Sequence, residues 1–189
     1  MPCRDLSTTK ALICAHARCE GNKCALCVFA EAHEHICQDV TAKIPAETMR
    51  QLSRAFAQRF CGVWTRYELG IKERGHWRRP LQKWERYPHR YAFNLWRMAE
   101  AHICYDLRDV LIECRFTDQA LYEEAGNSTV SYADHVAEIL ETAESRMDFL
   151  GTVWPINLFV KNTVIRRVRA YRRRAWHDAQ RELSNQRSL

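Results

Sequence analysis

Between Pro88 and Cys114 the apolar residues Ala92, Trp96, Ala99, Ile103, Leu107, Val110 and Cys114 recur every three or four positions. That spacing stacks side chains along one face of an α-helix, and its length predicts one helix of about two dozen residues. The same period returns elsewhere. Met49, Leu52, Phe56, Phe60 and Trp64 follow a start at Pro45 and Glu47, where proline suits the first helical position and a carboxylate the first turn. Thr117-Asp118 predicts the cap of a short helix ended by Gly126. Ser131 to Asp134 has capping-box spacing ahead of Val136, Ile139, Leu140, Ala143, Met147 and Leu150. A last helix from about Ile156 to Leu183 buries Val160, Val164, Val168, Tyr171, Ala175 and Ala179. No run alternates polar with apolar residues and glycine numbers only six, so no sheet of consequence is expected. The fold expected is mostly α: a small N-terminal zinc-binding module over residues 1–42, then a bundle of four to six helices over 43–189.

Six of the nine cysteines, Cys3, Cys14, Cys19, Cys24, Cys27 and Cys37, lie in the first forty residues. The opening carries no basic start followed by an apolar run, so a secretory signal is not expected and an intracellular protein, cytoplasmic or nuclear, is. Thiols there stay reduced, and a dense cluster of them is better explained by Zn²⁺ than by disulfides. Cys24-x2-Cys27 offers two thiolates, and His33 and Cys37 complete C-x2-C-x5-H-x3-C as a four-ligand set. Cys14, Cys19 and His35 are rival ligands. The span is similar to the retroviral-type zinc knuckle, with internal spacing shifted by one and without that motif's glycines and aromatic. Cys14-x9-Cys24 and Cys27-x9-Cys37 also resemble the twin Cx9C proteins, but only Ala25 and Leu26 would join the two helices, too short a turn for facing cysteines. Cys61, Cys104 and Cys114, each on an apolar helical face, are expected as buried thiols.

Charge is segmented. Residues 1–63 carry a net +2, 64–99 carry +6, 100–160 carry −9 and 161–189 carry +7. The basic blocks either neutralise the acidic one or meet separate partners. Arg66, Lys72, Arg74, Arg78, Arg79, Lys83, Arg86, Arg90 and Arg97 are interleaved with four tryptophans, the mixture of phosphate-neutralising cations and stacking faces that single strands require. Trp96, inside the long stripe, is expected in the core, whereas Trp77, between Gly75-His76 and Arg78-Arg79-Pro80, is expected at the surface with them. Arg166, Arg167, Arg169, Arg172, Arg173 and Arg174 crowd the last helix and are the other expected phosphate contacts.

No nucleotide-binding glycine loop, serine nucleophile elbow, H-E-x-x-H or deaminase pattern is present. Glu100, His102, Asp106, His135, Glu138 and Glu141 lack the paired Glu-x-x-His of a di-iron bundle, and such helix faces are usually solvated. No run is long and apolar enough to span a bilayer. The expectation is a non-enzymatic, zinc-stabilised, basic helical protein binding RNA or single-stranded DNA. The alternative is a protein-interaction adaptor whose basic helix is a nuclear-import signal or meets an acidic partner.

Overall fold

A computed structural model describes residues 8–9, 11–13, 25–44, 46–71, 75–87, 90–127 and 154–187. The helix expected over 131–150 lies outside these residues, as do Cys3, Cys14, Cys19, Cys24 and Pro45. Among the described residues the chain is helical, with no strand. Helix α1 is Ala25–Lys43, α2 Glu47–Glu68, α3 Arg78–Arg86, α4 Tyr91–Glu100, α5 Leu107–Glu113, α6 spans 119–127 and α7 is Trp154–Arg187. Ala101–Asp106 joins α4 to α5 as a π-helical turn, so the expected long helix exists as one rod with a different winding at its middle.

The helix ends follow local chemistry. Glu47 lies in the first turn of α2, bonded by Arg50 (2.9 Å), and Arg66 lies in the last turn, each charge opposing the partial charge of its helix terminus. Gly70 (φ +66) closes α2, with its N–H bonded to the Tyr67 carbonyl and that of Ile71 to Arg66. This is the paired closure that wants a left-handed residue. The same pair of bonds closes α5 from Arg115 and Phe116, with Arg115 at φ 47 where glycine would be easier. Asp118 accepts the N–H of Leu121 (3.0 Å) and caps α6 as expected.

Two apolar clusters form the core. In the first, Leu26, Cys27, Phe29 and Ala30 of α1 meet Phe60, Val63 and Trp64 of α2, Leu81 and Trp84 of α3, and Met98 of α4. In the second, Val40, Met49 and Leu52 meet Leu107, Val110 and Leu111, with Tyr122 and Ala125 of α6 and Ala175, Trp176 and Ala179 of α7. The described part of residues 1–42 therefore packs into the same core as the bundle. Along α1 and the rod, His33 and His102 lie between the two clusters, against Phe56 at the edge of the second.

Candidate functional site

A chain of buried polar side chains occupies that junction. His33, His102 and Asp106 are 3%, 2% and 3% exposed. Asp106 takes three N–H donors: Trp77 Nε1 at 2.7 Å and His102 Nδ1 at 2.8 Å on one oxygen, His76 Nε2 at 2.6 Å on the other. An ionised carboxylate only accepts, so His102 carries its proton on Nδ1 and offers Nε2 as an acceptor. His33 Nε2 lies 3.1 Å from that atom and donates to it, which leaves its Nδ1 facing Cys37 Sγ at 3.8 Å. One tautomer assignment thus satisfies the chain from Cys37 to Asp106, as buried polar groups require.

Burial opposes the charge of Asp106, but the hydrogen bonds from His102, His76 and Trp77 outweigh it and hold the carboxyl well below the usual range. Burial pushes His33 well below its ordinary value, and His102 beside it lowers it further. Burial also lowers His102, against the opposing pull of Asp106. The Cys37 thiol is pushed up to about 12 by burial, so it stays protonated. The surroundings are aromatic: Phe56 stacks on His102 at 3.9 Å, and Phe29, Phe60 and Trp77 lie within 6.1 Å of the same ring.

The π turn brings these polar groups inside. The Leu107 N–H bonds the His102 carbonyl, five residues back, which adds one residue to a turn and shifts the face by about 100°. Leu107 and Val110 are buried as the stripe requires, but ahead of the π turn and at its start the fully buried residues are Asn94, Met98, Ala101 and His102. Trp96 and Ile103 are only half-buried.

Of the expected metal ligands, Cys24 and the rivals Cys14 and Cys19 lie outside the described residues. Cys27, His33, His35 and Cys37 all lie on α1. His33 and Cys37 meet on one face, Cys27 enters the first apolar cluster and His35 is exposed. Cys27 and His33 are six positions apart, which on a helix is about 9 Å of rise and about 240° of turn, so they lie on different faces of α1. Among the described residues no group of three His, Cys, Asp or Glu side chains is arranged to hold a metal ion. Cys61 and Cys104 are buried thiols, whereas Cys114 is exposed in the turn after α5.

The basic residues sort into three kinds. Trp77 is 2% exposed and bonded to Asp106, so it belongs to the core. Trp96, expected in the core, is instead only half-buried, with the Arg167 guanidinium 5.0 Å from its ring. Arg90, Phe93, Trp96 and Arg97 share an arc of α4, with Arg97 4.9 Å from the Phe93 ring. At one end of that arc Lys83, Arg86 and Arg90 surround the half-buried Tyr87 ring at 5.4, 5.3 and 5.1 Å. Arg78 and Arg79 are exposed at the start of α3.

On α7, Arg172 is taken up by structure: it bonds the Tyr122 carbonyl and lies 4.4 Å from that ring. Arg174 sits 5.7 Å from the Tyr105 ring and 3.7 Å from Asp178. Arg166, Arg169 and Arg173 remain exposed on one face and enter no ion pair among the described residues. With Tyr122 and Asn127 they line a cleft of about 470 Å³. A second cleft, of about 370 Å³, opens on His76 and Asp106 and is walled by Gln58, Arg59, Arg66 and Glu113.

No family model, curated protein or solved structure matches this chain. Among the described residues no helix is long and apolar enough to cross a membrane.

Proposed function

We propose that the protein binds single-stranded nucleic acid, RNA or DNA, across the outer face of α4 and the arginine face of α7. The observation that carries this reading is the run Tyr87, Phe93, Trp96: three at least partly exposed rings, each with a cation 4.9 to 5.4 Å from its centre. Unpaired bases stack on such rings whatever their sequence, and the adjoining guanidinium groups neutralise phosphate. Arg167 ties this face to α7, where Arg166, Arg169 and Arg173 follow one another at about 4.5 and 6 Å of rise. A row of this kind tracks a backbone. Paired bases are not free to stack on such rings, which favours single strands over duplex.

The test is fluorescence anisotropy of short labelled single strands and their duplex over a salt series. Binding is expected to favour the single strand and to weaken log-linearly with salt. Replacing Arg166, Arg169 and Arg173 with Ala should reduce the slope by about 2, at roughly 0.7 per phosphate contact on a single strand. Phe93→Ala with Trp96→Ala should weaken binding with the slope unchanged. Unaltered binding in both variants refutes the reading. The adaptor alternative has Leu69 (58% exposed) and Ile71 (51%) at the end of α2 in its favour, and it requires a protein contact that survives salt.

A further inference from the structure

We propose that the cleft over His76 is a pocket for a phosphomonoester, which deepens the nucleic-acid reading on which it rests by giving a strand's terminal phosphate, or a free mononucleotide, a seat of its own. One face of α2 supplies its floor and a wall. Ala55 and Gly62 are small, and a Cβ on Gly62 would come within 3.3 Å of the Arg66 guanidinium. The glycine therefore lets Arg66 fold over the helix toward the cleft. Arg59, Gln58 and His76 stand around the same space. Two guanidinium groups and an amide supply N–H donors to the lining, and arginine's planar fork matches the oxygens of phosphate.

The two carboxylates of the cleft are already engaged. Glu113 is paired with Arg59. Asp106 has both oxygens occupied by the three N–H groups of His76, Trp77 and His102. With its Nε2 proton donated to Asp106, the neutral His76 ring presents Nδ1 as an acceptor for the P–OH of a monoprotonated phosphate, and the ring is further held by stacking on Tyr105 at 5.0 Å and 20°. A functional side chain locked by a buried partner is what a preformed site needs. The same Tyr105 ring carries Arg174 of α7, so the cleft adjoins the helix assigned to the backbone of the strand. Its volume of about 370 Å³ falls in the range of small-ligand pockets.

The experiment is calorimetric titration of the full chain with inorganic phosphate and with adenosine monophosphate, followed by anisotropy of strands ending in phosphate or in hydroxyl. One saturable phosphate site is expected, weakened at least tenfold in His76→Gln and in Arg66→Gln, both solvent-accessible positions, and unchanged when Arg166, Arg169 and Arg173 become Ala. Tighter binding of phosphate-ended strands, lost in His76→Gln, assigns the pocket to strand ends. Tight mononucleotide binding with no end preference assigns it to the free ligand. If strands do not bind at all while phosphate still needs His76 and Arg66, the nucleic-acid reading falls and the pocket stands. Absence of phosphate binding, or phosphate binding indifferent to both variants, overturns the pocket.

Discussion

Lowering the pH from 7 to 5 should destabilise this protein steeply, because two fully buried histidines are held neutral. The direction follows from proton counts. His33 and His102 both have folded values below the ordinary 6.5, so in the window beneath 6.5 the unfolded chain binds protons that the folded chain refuses. Their contribution is fully present above about pH 6.5 and is lost as the pH falls toward the folded values. Each histidine that stays neutral in the fold contributes a slope of about 1.4 kcal/mol per pH unit, or about 2 kcal/mol between pH 7 and 5. His33, lowered further, keeps this slope to lower pH than His102, which Asp106 pulls back up. The loss from the pair over this interval is therefore at most about 4 kcal/mol, set against the roughly 5 to 15 kcal/mol typical of a domain.

Urea unfolding at a series of pH values, read by tryptophan fluorescence, measures this slope. The comparison with His33→Gln isolates the cluster, since every other titrating group is shared. The variant should be less stable at pH 7 yet flatter by about 1.4 kcal/mol per pH unit below pH 6.5. A wild type that is flat between pH 7 and 5, or parallel slopes in the two proteins, refutes the neutral histidine pair.

Asp106→Asn should cost about 3 to 5 kcal/mol in the same assay, because the amide keeps one acceptor and turns a donor toward the N–H groups of His76, Trp77 and His102; a loss under about 1 kcal/mol would mean that the three bonds do not hold the site. Arg115→Gly should raise the unfolding free energy by about 1 kcal/mol, since an exposed arginine sits at φ 47, where a Cβ is unfavourable. A destabilised Arg115→Gly protein would show that the side chain has a role beyond closing α5.

Most helices were legible because their evidence is local. The α2 stripe is borne out at Met49, Leu52, Phe60 and Trp64, and Ala175 and Ala179 of α7 are buried as their spacing requires. Asp118 caps α6 because a short carboxylate next to a helix start has a backbone N–H within reach. The roles of the arginines were not legible one by one. Arg172 and Arg173 are neighbours with the same charge, yet the first turns inward to Tyr122 and the second faces solvent. Their difference depends on α6, a helix some fifty positions away in sequence. The C-x2-C spacing at Cys27 likewise does not show that the helix it enters carries it into the first apolar cluster.

The two tryptophans and the buried site were misjudged for a single reason. Extending a regular helix back from Leu107 and Val110 places Ile103, Ala99, Trp96 and Ala92 inward, and places His102 on the solvated side. One added residue at Ala101–Asp106 moves the inward face back by one position, to Met98, Ala101 and His102. The same slip turns Trp96 toward the surface and makes room for Trp77 to fill the first cluster. The sequence held a faint sign of it, since the early stripe relies on small alanines while the bulkier Leu95 and Met98 lie one position off. A π turn is rare and is frequently found at functional sites. Here it positions two side chains four apart, His102 and Asp106, so that both point inward and Asp106 reaches His76 at the mouth of the cleft. Regular winding would swing His102 by about 100° toward solvent and part it from His33. The irregular turn is thus a condition for the buried chain from Cys37 to Asp106.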